Sequence, residues 1–291
     1  MSDSYVKAPQ RIEPTTEQLL TQSPERRGGA MGGALGAVLR HTAIAVWVPV
    51  LLFVIWWFVS ANSTSPFFPP LSSILERWWE EFVLGDASKH VFASLQNFAM
   101  GFALGALIGV VSGTILWRIR AVRLAANPIV YFLYVLPAPA LLPAMIAIFG
   151  IGQPRQVALI AFGAIWPTLL NTLDGMRGID QVKFDTAKAM GLGTVRTLFN
   201  LVFPAASPQI AAGLRASLQA SLILMVVSEM VAAKEGIGYF ILQAQIVFSS
   251  LNVWAGIIML VILGTIINHL FVFIEHRVLS WYYRSRALGN S

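Results

Sequence analysis

Residues 92–117 read FASLQNFAMGFALGALIGVVSGTILW, without one charged side chain. About 20 apolar residues carry a helix across a bilayer, and this run exceeds that length. Gly101, Gly105, Gly109 and Gly113 recur at every fourth position within it. An α-helix returns to nearly the same face at that spacing, so the four missing side chains make one smooth stripe. Another helix backbone can approach such a stripe closely. Gly is frequent in membrane helices, but four in register point to a packing face.

The rest of the chain calls for the same solvent. Hydrophobic residues make up 56% of the sequence and charged residues 12%, against about 45–50% and about 25% in soluble domains. Five further apolar runs lie at residues 43–61, 128–149, 156–173, 210–231 and 253–274. Each approaches spanning length. The expected fold is therefore all-α: a polytopic membrane bundle of six transmembrane helices at residues 41–291, preceded by a polar tail at residues 1–40. That tail holds Pro, Gly, Ser and Arg without periodicity and reads as disordered. Val59-Ser60-Ala61 imitates a signal-cleavage site. Its apolar run is too long and too far from the first residue for a signal, so it reads as a retained span.

Composition excludes several chemistries. The net charge is +6, but the cations flank apolar runs instead of forming one stripe, so nucleic acid is not a partner. With no Cys in the sequence, disulfides, thiolate metal sites and thiol catalysis are absent. The four His (His41, His90, His269 and His276) lack metal-ligand spacing. No metal and no cofactor is expected.

Lys and Arg set the expected orientation. Arg118, Arg120, Arg123, Arg177, Lys183, Lys188 and Arg196 fall on the side of the N-terminal tail, whereas Arg77, Lys89, Arg155 and Lys234 fall on the other. The positive-inside rule places both termini in the cytoplasm of a multi-pass protein. Residues 62–90 are then external. Past Pro66, Pro69 and Pro70, the stretch Leu71 to Leu84 reads as an amphipathic helix with Ser72 and Ser73 as caps and Trp78 and Trp79 at an interface.

Candidate pathway residues are those that a lipid-facing helix would not carry. Pro137, Pro139 and Pro143 break or kink the third run. Irregular backbone at membrane depth is tolerated only beside protein or a water-filled cavity, so Pro137 and Pro139 are candidates for lining a path. Pro167 in the fourth run turns that helix toward its neighbours for the same reason. Asn97, Asn171, Ser217 and Ser221 are the polar candidates. Glu229 is the one carboxylate clearly inside a run, which makes it either a substrate contact or a structural partner of Lys234.

Residues 174–209 form a loop too long for a simple turn. Asp180 is a plausible N-cap for a helix over Gln181 to Met190, Gly191 and Gly193 interrupt it, and Thr194 starts a second short helix before Pro204. Ala187, Met190, Leu192, Val195, Leu198 and Phe199 supply apolar contacts. A helix–Gly–helix elbow with this much apolar surface reads as a partner-docking surface, or as a loop packed on its own bundle.

This loop resembles the permease subunits of type I ABC importers. Their loop carries Glu-Ala-Ala, three residues, Gly, nine residues, Ile, one residue, then Leu-Pro. The chain has Asp185, Thr186, Ala187, Gly191, Leu201, Phe203 and Pro204 at every one of those spacings. Phe68-Pro69-Pro70, Phe149-Gly150-Ile151-Gly152, Asn171-Thr172 and Gly236-Ile237-Gly238-Tyr239 are similar to the nitrate/sulfonate/taurine branch. Members of that branch often carry Arg after Ser-Leu-x. Here Ser94-Leu95-Gln96 is followed by Asn97, which counts against an anionic substrate.

The resemblance implies an inner-membrane permease with cytoplasmic coupling helices between the fourth and fifth spans. It implies two copies of the permease in a lipid bilayer, ATP-binding subunits below, and an external substrate-binding protein that delivers a small solute. The chain has no Gly-x-x-x-x-Gly-Lys-Ser/Thr sequence and is not itself an ATPase. Two rival classes are weighed against this. A secondary transporter or channel working without an ATPase calls for intramembrane charges and internal repeats. An intramembrane enzyme calls for a nucleophile–base pair or metal ligands in the spans. The runs offer one charge, no clear repeat and neither catalytic set.

Overall fold

The computed structural model describes residues 47–282, which are helices and connecting turns without a strand. The polar tail at residues 1–40 and the start of the first apolar run lie outside the described residues. The described part of helix α1, Trp47–Ser60, is apolar.

Helix α2, Leu71–Trp79, continues through a π turn at Glu80–Leu84. Its N-cap is Pro70, which makes no side-chain cap bond, and the Leu71 N–H donates to Ser60 Oγ at 3.1 Å, so Ser72 and Ser73 lie inside the first turn and are not its caps. Pro can serve there because the first helical N–H groups have no intrahelical acceptor. Leu71 and Ile74 turn inward.

Among the described residues, four continuous helices are long and apolar enough to cross a membrane. They are α3, Ser88–Arg118; α6, Gln153–Arg177; the continuous helix over residues 194–230; and α11, Ser250–Val278. The third comprises α8, Thr194–Thr197, a π turn at Leu198–Val202, and α9, Phe203–Met230. A fifth crossing, if the bent pair is one span, joins α4, Arg120–Val135, to the 3-10 turn and helix α5 at Ala138–Phe149. Its halves meet at 94°. The break falls at Leu136 and Pro137, where extended backbone replaces helix. The proline-rich third run is therefore two helices, and the first begins at Arg120, ahead of the apolar stretch. Helix α10, Ile237–Ile246, is shorter.

Between membrane helices the hydrophobic effect is largely absent, because lipid is as apolar as Leu. Close van der Waals fit and polar bonds do the holding. The glycine stripe of α3 makes that fit with α6. A Cβ on Gly101 would stand 2.6 Å from the Cβ of Ile160, and one on Gly105 would stand 2.5 Å from the carbonyl oxygen of Ala161. The equivalent atom on Gly109 would meet Thr168 at 2.7 Å, and on Gly113 the carbonyl oxygen of Leu169 at 2.7 Å. Real side chains do not come that close, so α3 and α6 touch backbone to backbone along the stripe.

Helix α6 is the centre of the bundle. Over its most apolar window 56% of residues are buried, against 6% for α11, which lies on the periphery. On a neighbouring face of α6, a Cβ on Gly213 of α9 would strike Asn171 and the Pro167 carbonyl. Pro167 thus faces protein. Phe98, Leu159, Ile160, Leu218, Met225, Ile237 and Leu263 fill the main core.

Candidate functional site

The segment after α6 carries the family-like spacing. Helix α7, Gln181–Ala189, starts where the Asp180 carboxylate accepts the Val182 N–H at 3.0 Å. It ends in a Schellman motif: the Gly191 N–H donates to the Lys188 carbonyl at 2.9 Å and the Leu192 N–H to the Ala187 carbonyl at 3.0 Å. Gly191 holds φ at +70°, in the left-handed region. A Cβ added there would meet nothing within 4 Å. The need for Gly is therefore conformational and does not arise from crowding.

The elbow has two faces. Ala187 and Val202 are buried, and Val202 joins Met176 and Ala206 in a small core with Trp117, Phe184 and Leu198 around it. Trp117 at the end of α3 stacks on Phe184 of α7, with ring centroids 6.2 Å apart and planes 25° apart. These contacts fasten the elbow to α3 and α6. Val182, Met190, Val195 and Phe199 are exposed on the other face. Asp185 is exposed, accepts from Gln181 Nε2 at 3.3 Å and lies 3.8 Å from Lys188. The Thr186 hydroxyl donates back to the Val182 carbonyl at 2.9 Å, so it fits the helix without a further partner. Leu201, Phe203 and Pro204 run from the π turn into the first turn of α9.

At the far ends of α3 and α9 lies a polar cluster. Glu229 is 1% exposed. Its Oε2 accepts from Ser94 Oγ at 2.9 Å and from the Gly238 N–H at 2.9 Å. Ser94 in turn accepts the Ile237 N–H at 2.8 Å, and His90 Nδ1 accepts the Gly236 N–H at 3.2 Å. Six residues from α3, α9 and the start of α10 are thereby tied together. Lys234 is not the partner: Glu229 is bound by neutral donors, and Lys234 lines a neighbouring cleft of about 600 Å³ with Asn97 and Gln156.

Two residues of this end were not singled out in the sequence. Arg155, in the first turn of α6, is fully buried. Its Nη2 donates to the carbonyls of Ser228 at 3.2 Å and Ala232 at 3.3 Å, capping the C-terminal end of α9. Gln156 accepts from Asn97 Nδ2 at 2.7 Å. Local sequence does not reveal their roles, because their burial depends on how α6 meets α9.

The remaining candidates are scattered along the bundle. Ser217 Oγ donates to the Ala164 carbonyl at 2.8 Å and lies 2.7 Å from Thr168 Oγ1, a polar link between α9 and α6 at mid-depth. Ser221 is buried and its Oγ has no hydrogen-bond partner among the described residues. Asn171 donates to the Pro167 carbonyl at 2.8 Å and accepts from Gln209 at 2.9 Å, nearer the elbow. The 3-10 turn that follows Pro137 and contains Pro139 packs against α6 and α9. The candidates do not converge on one pocket within this chain. Among the described residues no cluster of His, Asp and Glu could hold a metal ion.

Comparison with known proteins agrees with this architecture. The family described as "Binding-protein-dependent transport system inner membrane component" matches residues 101–280. SsuC of Bacillus subtilis (strain 168), assigned to aliphatic sulfonates transport as a permease protein, is 28% identical over 80% of this chain and 86% of its own length. The taurine transport system permease protein TauC of Escherichia coli (strain K12) is 26% identical over 84% of this chain and 91% of its own. The nitrate import permease protein NrtB of Leptolyngbya laminosa is 29% identical over 85% of this chain and 91% of its own. A chain of the MetNI methionine ABC transporter, crystallised in inward-facing conformations, superposes with a TM-score of 0.56. It covers 69% of this chain and 96% of that one at 20% identity, which is likeness of fold. The chain belongs to the binding-protein-dependent transport system inner membrane components, as an ABC importer permease of the nitrate/sulfonate/taurine branch.

Proposed function

We propose that this permease carries a small sulfonate-, taurine- or nitrate-like solute into the cytoplasm, driven by separate ATP-binding subunits and supplied by an external binding protein. ATP hydrolysis belongs to the ATPase subunit. The observation that carries the reading is the two-faced elbow. Its buried face is fastened to α3 through Trp117 and Phe184, while Met190, Val195 and Phe199 stand exposed opposite. A partner gripping the exposed face moves the spans, because the intervening contacts are packed and short. Closure of an ATPase dimer then becomes rigid-body rocking of the permease.

The finer assignments follow from the same picture. Both termini lie in the cytoplasm, since the Lys- and Arg-rich connections share the elbow's end of the bundle. Six spans result when the apolar run at residues 43–61 of the sequence counts as one and the bent pair α4–α5 as another. Two copies of the chain form the path in the bilayer, which accounts for polar candidates that find no common pocket within one copy. Asn97, Pro137, Pro139, Ser217 and Ser221 are pathway candidates, whereas Glu229 acts as a structural tie.

Reconstitution tests the reading. Proteoliposomes holding the permease, its ATPase and its binding protein are expected to accumulate labelled taurine or an alkylsulfonate only with ATP. Concentrative uptake by the permease alone in ATP-free vesicles would show a secondary transporter instead.

A further inference from the structure

A cavity of about 260 Å³ lies between the elbow end of α3 and the elbow itself. Two cations line it, Arg118 from the last turn of α3 and Lys188 from α7, beside the Thr114 and Thr194 hydroxyls. Arg118 has no hydrogen-bond or ion-pair partner among the described residues. Lys188 has a single exposed carboxylate at 3.8 Å, a contact worth little in water. Two like charges facing one small cavity repel each other, and an anion between them removes that repulsion.

Apart from Thr197, the remaining wall is apolar. Trp117, Phe184 and Leu198 line the cavity. Trp117 closes the uncharged run of α3 and Arg118 is the first charge after it, the pattern of a helix leaving the hydrocarbon core at a membrane interface. On the same helix, Val111 and Ile115 are exposed one turn apart, and exposed Ile119 follows at its C-terminal cap. They form an apolar track along α3 that an acyl chain can follow. A soluble nutrient would gain nothing from that track, whereas a lipid uses the cations and the track together.

We propose that this cavity binds the phosphate headgroup of an anionic phospholipid, held between Arg118 and Lys188, with an acyl chain along α3. The lipid then bridges a span and the elbow, so its occupancy stiffens the connection through which the ATPase moves the bundle. Basic pockets between membrane helices suit such headgroups.

Native mass spectrometry of the full-length chain in its detergent-solubilised transporter tests this. Phosphatidylglycerol is expected to be retained in preference to phosphatidylcholine. Each of Arg118→Gln and Lys188→Gln is expected to lower that retention about fivefold, with the losses multiplying in the double variant. Arg120→Gln, a nearby cation outside the cavity, is the folding and general-charge control and is expected to leave retention unchanged. Equal retention of the two lipids would overturn the proposal. So would equal losses in all three variants, or displacement of the lipid by millimolar glycerol phosphate, which would mark a site for soluble anions.

Discussion

Ser94 and Glu229 stand 135 positions apart in sequence and share a hydrogen bond of 2.9 Å. Around it, two backbone N–H groups from the start of α10 are also satisfied. A carboxylate placed there is a clasp between α3, α9 and α10 at the end of the bundle away from the elbow.

Glu229→Ala removes the acceptor for both Ser94 and Gly238 and leaves a void. Unsatisfied buried donors and lost packing together cost about 2–4 kcal/mol. A lower Tm of the detergent-purified protein is expected, with Glu229→Gln much milder because one acceptor oxygen remains. A double-mutant cycle with Ser94→Ala is expected to show coupling of about 1 kcal/mol. Additive effects would mean that the bond contributes nothing.

The glycine stripe gives a second test. At Gly105 any side chain would strike the Ala161 carbonyl and the Ala164 Cβ. Gly105→Val is expected to cost about 3 kcal/mol or more by overpacking. Leu107→Val, on an exposed face of the same helix, is expected to be nearly neutral. Comparing the yield of folded protein after membrane extraction checks both.

Much of this was legible before any coordinates, and the exceptions share a cause. The period of four in Gly101, Gly105, Gly109 and Gly113 marks a packing face, because helical geometry is local. That α6 fills the face is not local and could not be read. The prolines announce a break near Pro137, yet the 94° angle comes from how α4 and α5 pack. Asp180 was readable as a cap, since capping involves neighbours in sequence. The burial of Arg155 and Gln156, and the bonding of Glu229 by Ser94 and Gly238 in place of Lys234, depend on contacts between distant segments that polarity and charge pattern do not carry. The first apolar run and the tail lie partly or wholly outside the described residues.

Gly191 tests the elbow by conformation alone. Its φ of +70° is hostile to β-branched residues, although space is open around it. Gly191→Val is expected to cost about 1–2 kcal/mol locally. Uptake in proteoliposomes should fall while the amount of protein in the membrane stays the same. Gly191→Asn should retain most uptake, since Asn tolerates the left-handed region. Normal uptake by the Val variant would remove the elbow from the mechanism.

The stack of Trp117 on Phe184 is an aromatic link between the elbow and α3. Phe184→Ala loses about 0.5–1.5 kcal/mol of ring contact. The global fold should survive, but ATP hydrolysis by the assembled transporter should continue with less solute moved per ATP. An unchanged ratio of uptake to hydrolysis would show that motion passes by another route.

The central claim, that the exposed face of the elbow grips a separate ATPase, has a direct measurement. The sequence contains no Cys, so a single thiol introduced at Met190→Cys or Phe199→Cys is unique. Maleimide cross-linking in intact vesicles should join the permease to its ATPase subunit from both positions, with a yield that changes when ATP is added, and not from Leu107→Cys on the lipid-facing surface of α3. No cross-link from either elbow position, in vesicles where ATP-driven uptake is intact, would contradict it.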